Sequence, residues 1–312
     1  MRLIVALLAI LALTTPAVAS DLPAVIPLIA SWGGPGSGPG QFNFPSGIAV
    51  AANGNVYVVD RNNHRVQYFT PSGGYLGEWG VYGDGPGQFL SPHGIAIDKS
   101  DNVYVTDVLS SRVQKFTRAG EYLATFAGEH IYRPGGIAVD SRGDVYVGNS
   151  YPLRQVSKFD SSGQFLMAFG PSEGWGVDVD SHGCVLVTTF PLLLQRFTAD
   201  GTLAAFWTPG VGFPEDALLG LAVDDLDNVL VIRRVADISF VDVFSHGLTR
   251  IDTWLPRPPA GGGTPELGQI ALGEGGVAYL TDSRNSAILK LGYSAPVPTV
   301  IATWSRLKSM YR

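Results

Sequence analysis

Pro45-Ser46-Gly47-Ile48-Ala49-Val50 is followed by two near copies, Pro92-His93-Gly94-Ile95-Ala96-Ile97-Asp98 and Pro134-Gly135-Gly136-Ile137-Ala138-Val139-Asp140. Three looser versions extend the series: Trp175-Gly176-Val177-Asp178-Val179-Asp180, Leu219-Gly220-Leu221-Ala222-Val223-Asp224 and Gly268-Gln269-Ile270-Ala271-Leu272. The aligned apolar residues Ile48, Ile95, Ile137, Val177, Leu221 and Ile270 are spaced by 47, 42, 40, 44 and 49 positions. A period of this size marks a propeller or an array, whose units bury their apolar faces only against one another.

Twelve positions after each aligned residue a second apolar run ends, at Asp60, Asp107, Asn149, Thr189, Arg233 and Asp282. Runs such as Val56-Tyr57-Val58-Val59 are β-branched and aromatic, and the turns before them carry Asn-Gly, Asp-Asn or Gly-Asp, so each unit opens with a hairpin. A third strand follows (Arg65-Val66-Gln67-Tyr68-Phe69, Arg112-Val113-Gln114-Lys115-Phe116), and a fourth ends in an aromatic residue, as in Tyr75-Leu76-Gly77-Glu78-Trp79. Six four-stranded units predict an all-β, six-bladed β-propeller with antiparallel blades. With 39 Gly, 21 Pro and only 15% charged residues, the composition fits many short strands and tight turns.

These repeats resemble the NHL family, whose unit joins a Pro-x-Gly-Ile-Ala-Val-Asp strand to Val-Tyr-Val-x-Asp and Arg-Val-Gln-Lys-Phe. The resemblance is strong in blades one to three, faint in four and five, and spans nearly the whole mature chain. It implies the TolB-like propeller fold and an exported, bacterial-type NHL protein, while leaving function open.

Ring closure is also legible. Leu28-Ile29-Ala30-Ser31-Trp32 precedes Ile48 by the same 16 positions that separate Trp79 from Ile95 and Trp254 from Ile270. It is therefore expected to be the outer strand of blade six. Val300-Ile301-Ala302-Thr303-Trp304 competes for that place, but its spacing from the preceding strand is 13 instead of 10.

The N-terminus reads as a cleavable signal peptide over residues 1–19: Arg2, an apolar run from Leu3 to Leu13, and an Ala17-Val18-Ala19 end. The apolar run is too short for the ~20 residues a spanning helix needs. Cleavage after Ala19 would give a secreted or periplasmic protein, with the propeller over residues 20–304. Residues 305–312 form a basic tail, with Trp304, Leu307 and Tyr311 at helical spacing. The tail is read either as a docking element for envelope machinery or as a short helix on the propeller rim. The net charge of −6, made more negative by loss of Arg2, argues against nucleic acid as a partner. The lone Cys184, beside Val185-Leu186-Val187, reads as a small buried thiol in a strand.

The start of strand one and the end of strand two share a face, where the candidate binding residues collect: His93, Trp175, Tyr151, Phe190, Arg61, His64, Arg133, Arg233 and Arg284. Aromatic rings beside guanidinium groups suit a protein, peptide or glycan ligand. No cofactor is expected. His93 is the candidate metal ligand, because the α-amidating lyases for peptidyl-hydroxyglycine, more distant relatives by this resemblance, hold zinc with Pro-His motifs in three blades. Only Pro92-His93 matches here; the other blades place Ser46, Gly135, Trp175, Leu219 and Gly268 at that position. The reading favours a non-catalytic binding or scaffold module. The alternative is a lyase or lactonase-like propeller enzyme with a divalent ion in the channel near His93. Asp60 with Arg65 and Asp107 with Arg112 recur blade by blade and are read as structural pairs. Phe42 and Phe89, after Gly-rich connections, are expected to pack between blades.

Overall fold

The computed structural model describes residues 26–170, 174–189, 192–208, 217–256 and 261–293. The expected signal peptide over residues 1–19, Phe190, the Val300–Trp304 segment and residues 305–312 lie outside these residues. Six four-stranded antiparallel sheets are arranged as the blades of a propeller. Blade one comprises Pro45–Val50, Val56–Asp60, Arg65–Phe69 and Tyr75–Trp79, and the next four follow the same consecutive order. Blade six is built from Leu267–Gly273, Val277–Asp282 and Ala287–Gly292, and its outer strand is Leu28–Gly33 from the other end of the chain. Among the described residues no helix is long and apolar enough to cross a membrane.

The apolar core lies between blades, not in the centre. Phe42 is fully buried with Ile48 and Phe69 of blade one and with Tyr279 and Ile288 of blade six. Phe89 does the same between blades one and two. Trp32, on the clasping strand, contacts Phe69 and Tyr279 at ring separations of 6.0 Å. Each interface thus needs its neighbour, which is why the closing strand matters to the whole ring.

The repeated glycine of strand one has a steric cause. A Cβ at Gly94 would stand 2.5 Å from Gly135 O, one at Gly136 2.8 Å from Trp175 O, and one at Gly176 2.6 Å from Leu219 O. Inner strands of adjacent blades converge on the channel so closely that no side chain fits. Hydroxyls bind the carbonyls at these contacts: Thr106 donates to Gly135 O at 2.9 Å, Ser46 to His93 O at 3.0 Å, Thr281 to Ser46 O at 2.9 Å, and Thr188 to Leu219 O.

The Asp60–Arg65 pair is a loop anchor, as expected. Arg65 Nε donates to Asp60 at 2.8 Å, while Nη2 donates to Gly38 O and Gln41 O of the Gly-rich connection. In blade two Arg112 stands 3.7 Å from Asp107 and donates to Asp84 O and Gln88 O. Cys184 differs from expectation: it is half-buried in the turn just before the strand Val185–Thr189, because Asp180 Oδ1 holds its N–H in that turn.

Candidate functional site

Pairing along strand one slips by one residue near its start in five blades, between Pro45 and Ile48, Pro92 and Ile95, Pro134 and Ile137, Leu218 and Leu221, and Leu267 and Ile270. Such bulges re-aim side chains. Here they lie at the channel mouth, and the residues at or beside them line a cavity of about 400 Å³. Its walls are largely apolar, with Phe44, Pro45, Leu218, Leu219 and Leu267 joined by Trp175. Polar groups enter at a few places: His93, Arg61, Arg234, Glu266 and Gln269.

His93 meets Trp175 edge to face, with ring centroids 5.6 Å apart, and its Nδ1 is buried without a hydrogen-bond partner. Burial first, and the Arg61 charge second, push its pKa down to about 4, so the imidazole is neutral at pH 7. Trp175 is 38% exposed. Its carbonyl accepts from Gln269 Nε2 at 3.1 Å, a bond spanning the mouth from blade six to blade four. Gln269 is where the glycine of the other five repeats is replaced by a side chain.

Arg61 lies at the turn after strand two of blade one. Its Nε donates to Ser91 Oγ at 3.1 Å and its guanidinium lies 5.8 Å from the centre of the Phe44 ring. Burial lowers its pKa, and among the described residues it has no carboxylate partner. Glu266, in contrast, is ion-paired to Arg234 at 2.8 Å and lies 3.7 Å from Arg284. A divalent ion at this mouth needs several oxygen or imidazole donors converging on one point. The described lining offers one imidazole and one carboxylate, fewer such donors than a divalent ion takes, so the donor set does not fit a metal.

A family model for the NHL repeat matches residues 42–69 and 89–116. The chain is a six-bladed β-propeller that carries NHL repeats. Among solved structures, the chain resembles an inactive variant of virginiamycin B lyase from Staphylococcus aureus bound to quinupristin. The two are 13% identical, with a TM-score of 0.59 and 83% of each chain covered. It also resembles a gluconolactonase from Xanthomonas campestris at 15% identity and a TM-score of 0.62, covering 82% of this chain and 88% of that one. A third, a protein of unknown function from Bacteroides thetaiotaomicron, is 16% identical with a TM-score of 0.63, covering 86% and 76%. At these identities the likeness is one of fold.

The propeller brings together only part of the expected set. His93, Trp175 and Arg61 line the cavity, and Arg284 stands behind Glu266. His64, with a left-handed backbone, packs against Tyr82 at 4.9 Å. Tyr151 is 67% exposed beside Arg154, outside the cavity lining, and so is Arg133. Arg233 lies inside the strand Val229–Val235 instead of a loop, because strands two and three of blade five run on to Val235 and Ile238; its guanidinium pairs with buried Asp242. Phe44, Leu218, Glu266 and Gln269 were not singled out from sequence. Gln269 had a visible signal, as the one break in the glycine column; the others lie in or at the edges of interblade connections whose path the repeat does not encode.

Proposed function

We propose that this NHL propeller is a binding module that takes a peptide segment at the loop-face mouth of its channel, burying an apolar side chain against Trp175 and Leu219 while a ligand carboxylate meets Arg61. The observation that carries this reading is Arg61 itself: a half-buried guanidinium in an apolar cavity, with no carboxylate partner among the described residues. A buried cation of this kind favours an anionic ligand through charge-assisted hydrogen bonds. Neutral His93, with an unpartnered Nδ1, supports a further polar contact without repelling a cationic neighbour. Apolar walls with few hydrogen-bonding groups favour a peptide side chain over a glycan, whose many hydroxyls each need a partner.

The chain's action outside the cytoplasm belongs to the same proposal and rests on residues 1–19. The test is an array of peptides ending in an apolar residue, each as free acid and as amide, beside a glycan array, probed with wild type, Arg61→Ala and Trp175→Ala. Free-acid peptides should bind, with affinity at least tenfold weaker for the amides and for both variants. Binding confined to glycans, or peptide binding indifferent to Arg61 and to amidation, would refute the reading.

A further inference from the structure

The opposite face carries the turns between strands one and two and between strands three and four of each blade. An aspartate organises the first turn in blades two to five. Asp98, Asp140, Asp180 and Asp224 each accept, through Oδ1, backbone N–H groups two and four residues ahead. Their second oxygens differ. In blades two, three and five, Oδ2 accepts a tyrosine hydroxyl, from Tyr104, Tyr146 and Tyr293. Blade four has Leu186 where blades two and three have Tyr104 and Tyr146, and there Asp180 Oδ2 meets Arg196 at 2.7 Å and faces His246 Nδ1 at 4.0 Å.

His182 completes a cluster across the junction of blades four and five. Its ring centroid is 5.1 Å from that of His246, and one ligand atom from each of Asp180, His182 and His246 lies within 4.8 Å of the others. His182 Nδ1 is 3.0 Å from Asp227 Oδ2, a carboxylate held in place by the N–H and hydroxyl of Ser181, each at 2.8 Å. A histidine that ligates a metal commonly donates its other ring N–H to a carboxylate in this way. With Nδ1 so engaged, Nε2 is the atom His182 has left for a ligand.

We propose that Asp180, His182 and His246 bind a divalent transition metal of the zinc class, with water completing the coordination, and that the ion clamps blade four to blade five. Two imidazoles and one carboxylate match zinc chemistry and not that of calcium or magnesium, which take oxygen donors. Donors at ~2.1 Å from a tetrahedral ion stand ~3.4 Å apart, so the 4.0 Å gap between Asp180 and His246, within a cluster whose ligand atoms lie up to 4.8 Å apart, must close by up to about an ångström. Both histidine side chains can make that movement, being 64% and 45% exposed. Arg196 is the cation ion-paired to Asp180 and opposes the ion, and Lys99 and Arg142 line the adjoining groove. Arg196 also fixes the geometry, because Nη1 donates to His246 O at 2.8 Å while Nη2 holds Asp180. Its charge is offset by Asp180 and Asp227, and the adjoining groove adds Asp140, Asp224 and Asp225.

The test is a calorimetric titration of chelator-treated protein with zinc chloride, with bound zinc counted after dialysis. Wild type should hold one zinc per chain, with affinity at least tenfold lower in His182→Ala and His246→Ala and unchanged in His130→Ala. Zinc should also raise the melting temperature of wild type by on the order of 5 °C, and not that of the two variants. Melting without zinc shows whether the variants fold; exposed histidines should leave it unchanged. No zinc bound by wild type, or equal binding by the His182→Ala/His246→Ala double variant, overturns the proposal.

Discussion

Asp178 is a carboxylate set into the wall of the central channel among Ile48, Ile95, Ile137 and Leu221. Burial pushes its pKa up to about 6, although Val179 and Val223 each donate a backbone N–H to it at 2.8 Å. Because the folded pKa exceeds the unfolded 3.8, the folded state holds the proton more tightly, and ionisation costs stability increasingly as pH rises from ~4 through 6. Asp178→Asn is therefore expected to stabilise the protein by about 1–3 kcal/mol at pH 8, a gain that shrinks below pH 6 and vanishes near pH 4. Urea unfolding across that range checks it; a constant gain would contradict the assignment. His93 has the opposite sign. Its folded pKa of about 4 lies below the ordinary 6.5, so its contribution to stability is intact above 6.5 and is lost as pH falls towards 4. Its ring resonances should titrate with a midpoint near 4, and a midpoint near 6.5 would place the imidazole in solvent.

The strands were readable because their determinants are local. β-branched runs, turn glycines and a constant twelve-residue interval predict each hairpin, and all six are present. What the interval hides is the bulge at the mouth, since one extra residue on strand one changes which side chains face the cavity without changing the count to the end of strand two. His93 and Trp175 could be placed from sequence because both stand two positions before the aligned apolar residue of their repeat, whereas Phe44 and Leu218 stand further from it, and Arg233 proved to be part of a longer hairpin. The glycine column is a direct test of the convergence of inner strands. Gly94→Ala should cost about 2–4 kcal/mol, because its Cβ would meet the backbone of the next blade. Gly247→Ala, whose nearest neighbour would be 4.0 Å away at Ser245 Oγ, should cost less than about 1 kcal/mol. Denaturant titration of the two variants separates steric convergence from glycine's general flexibility; equal costs would refute it.

For the whole molecule, closure depends on Leu28–Gly33 pairing with Ala287–Gly292. A chain beginning at residue 37 loses that strand together with Trp32, leaving the last blade with an open edge and the interface around Phe69 and Tyr279 incomplete. It should fail to give a cooperative thermal transition in circular dichroism, and a wild-type melt would mean that another segment closes the ring. The ring also separates two sites: the apolar mouth on the loop face and the histidine cluster on the turn face. The proposed function places recognition at the mouth. Its most direct test is the dissociation constant of the tightest free-acid peptide from the array, measured for wild type, Trp175→Ala and His182→Ala. A loss of at least tenfold in Trp175→Ala with no change in His182→Ala is expected; unchanged affinity in Trp175→Ala, or a loss confined to His182→Ala, would contradict the account.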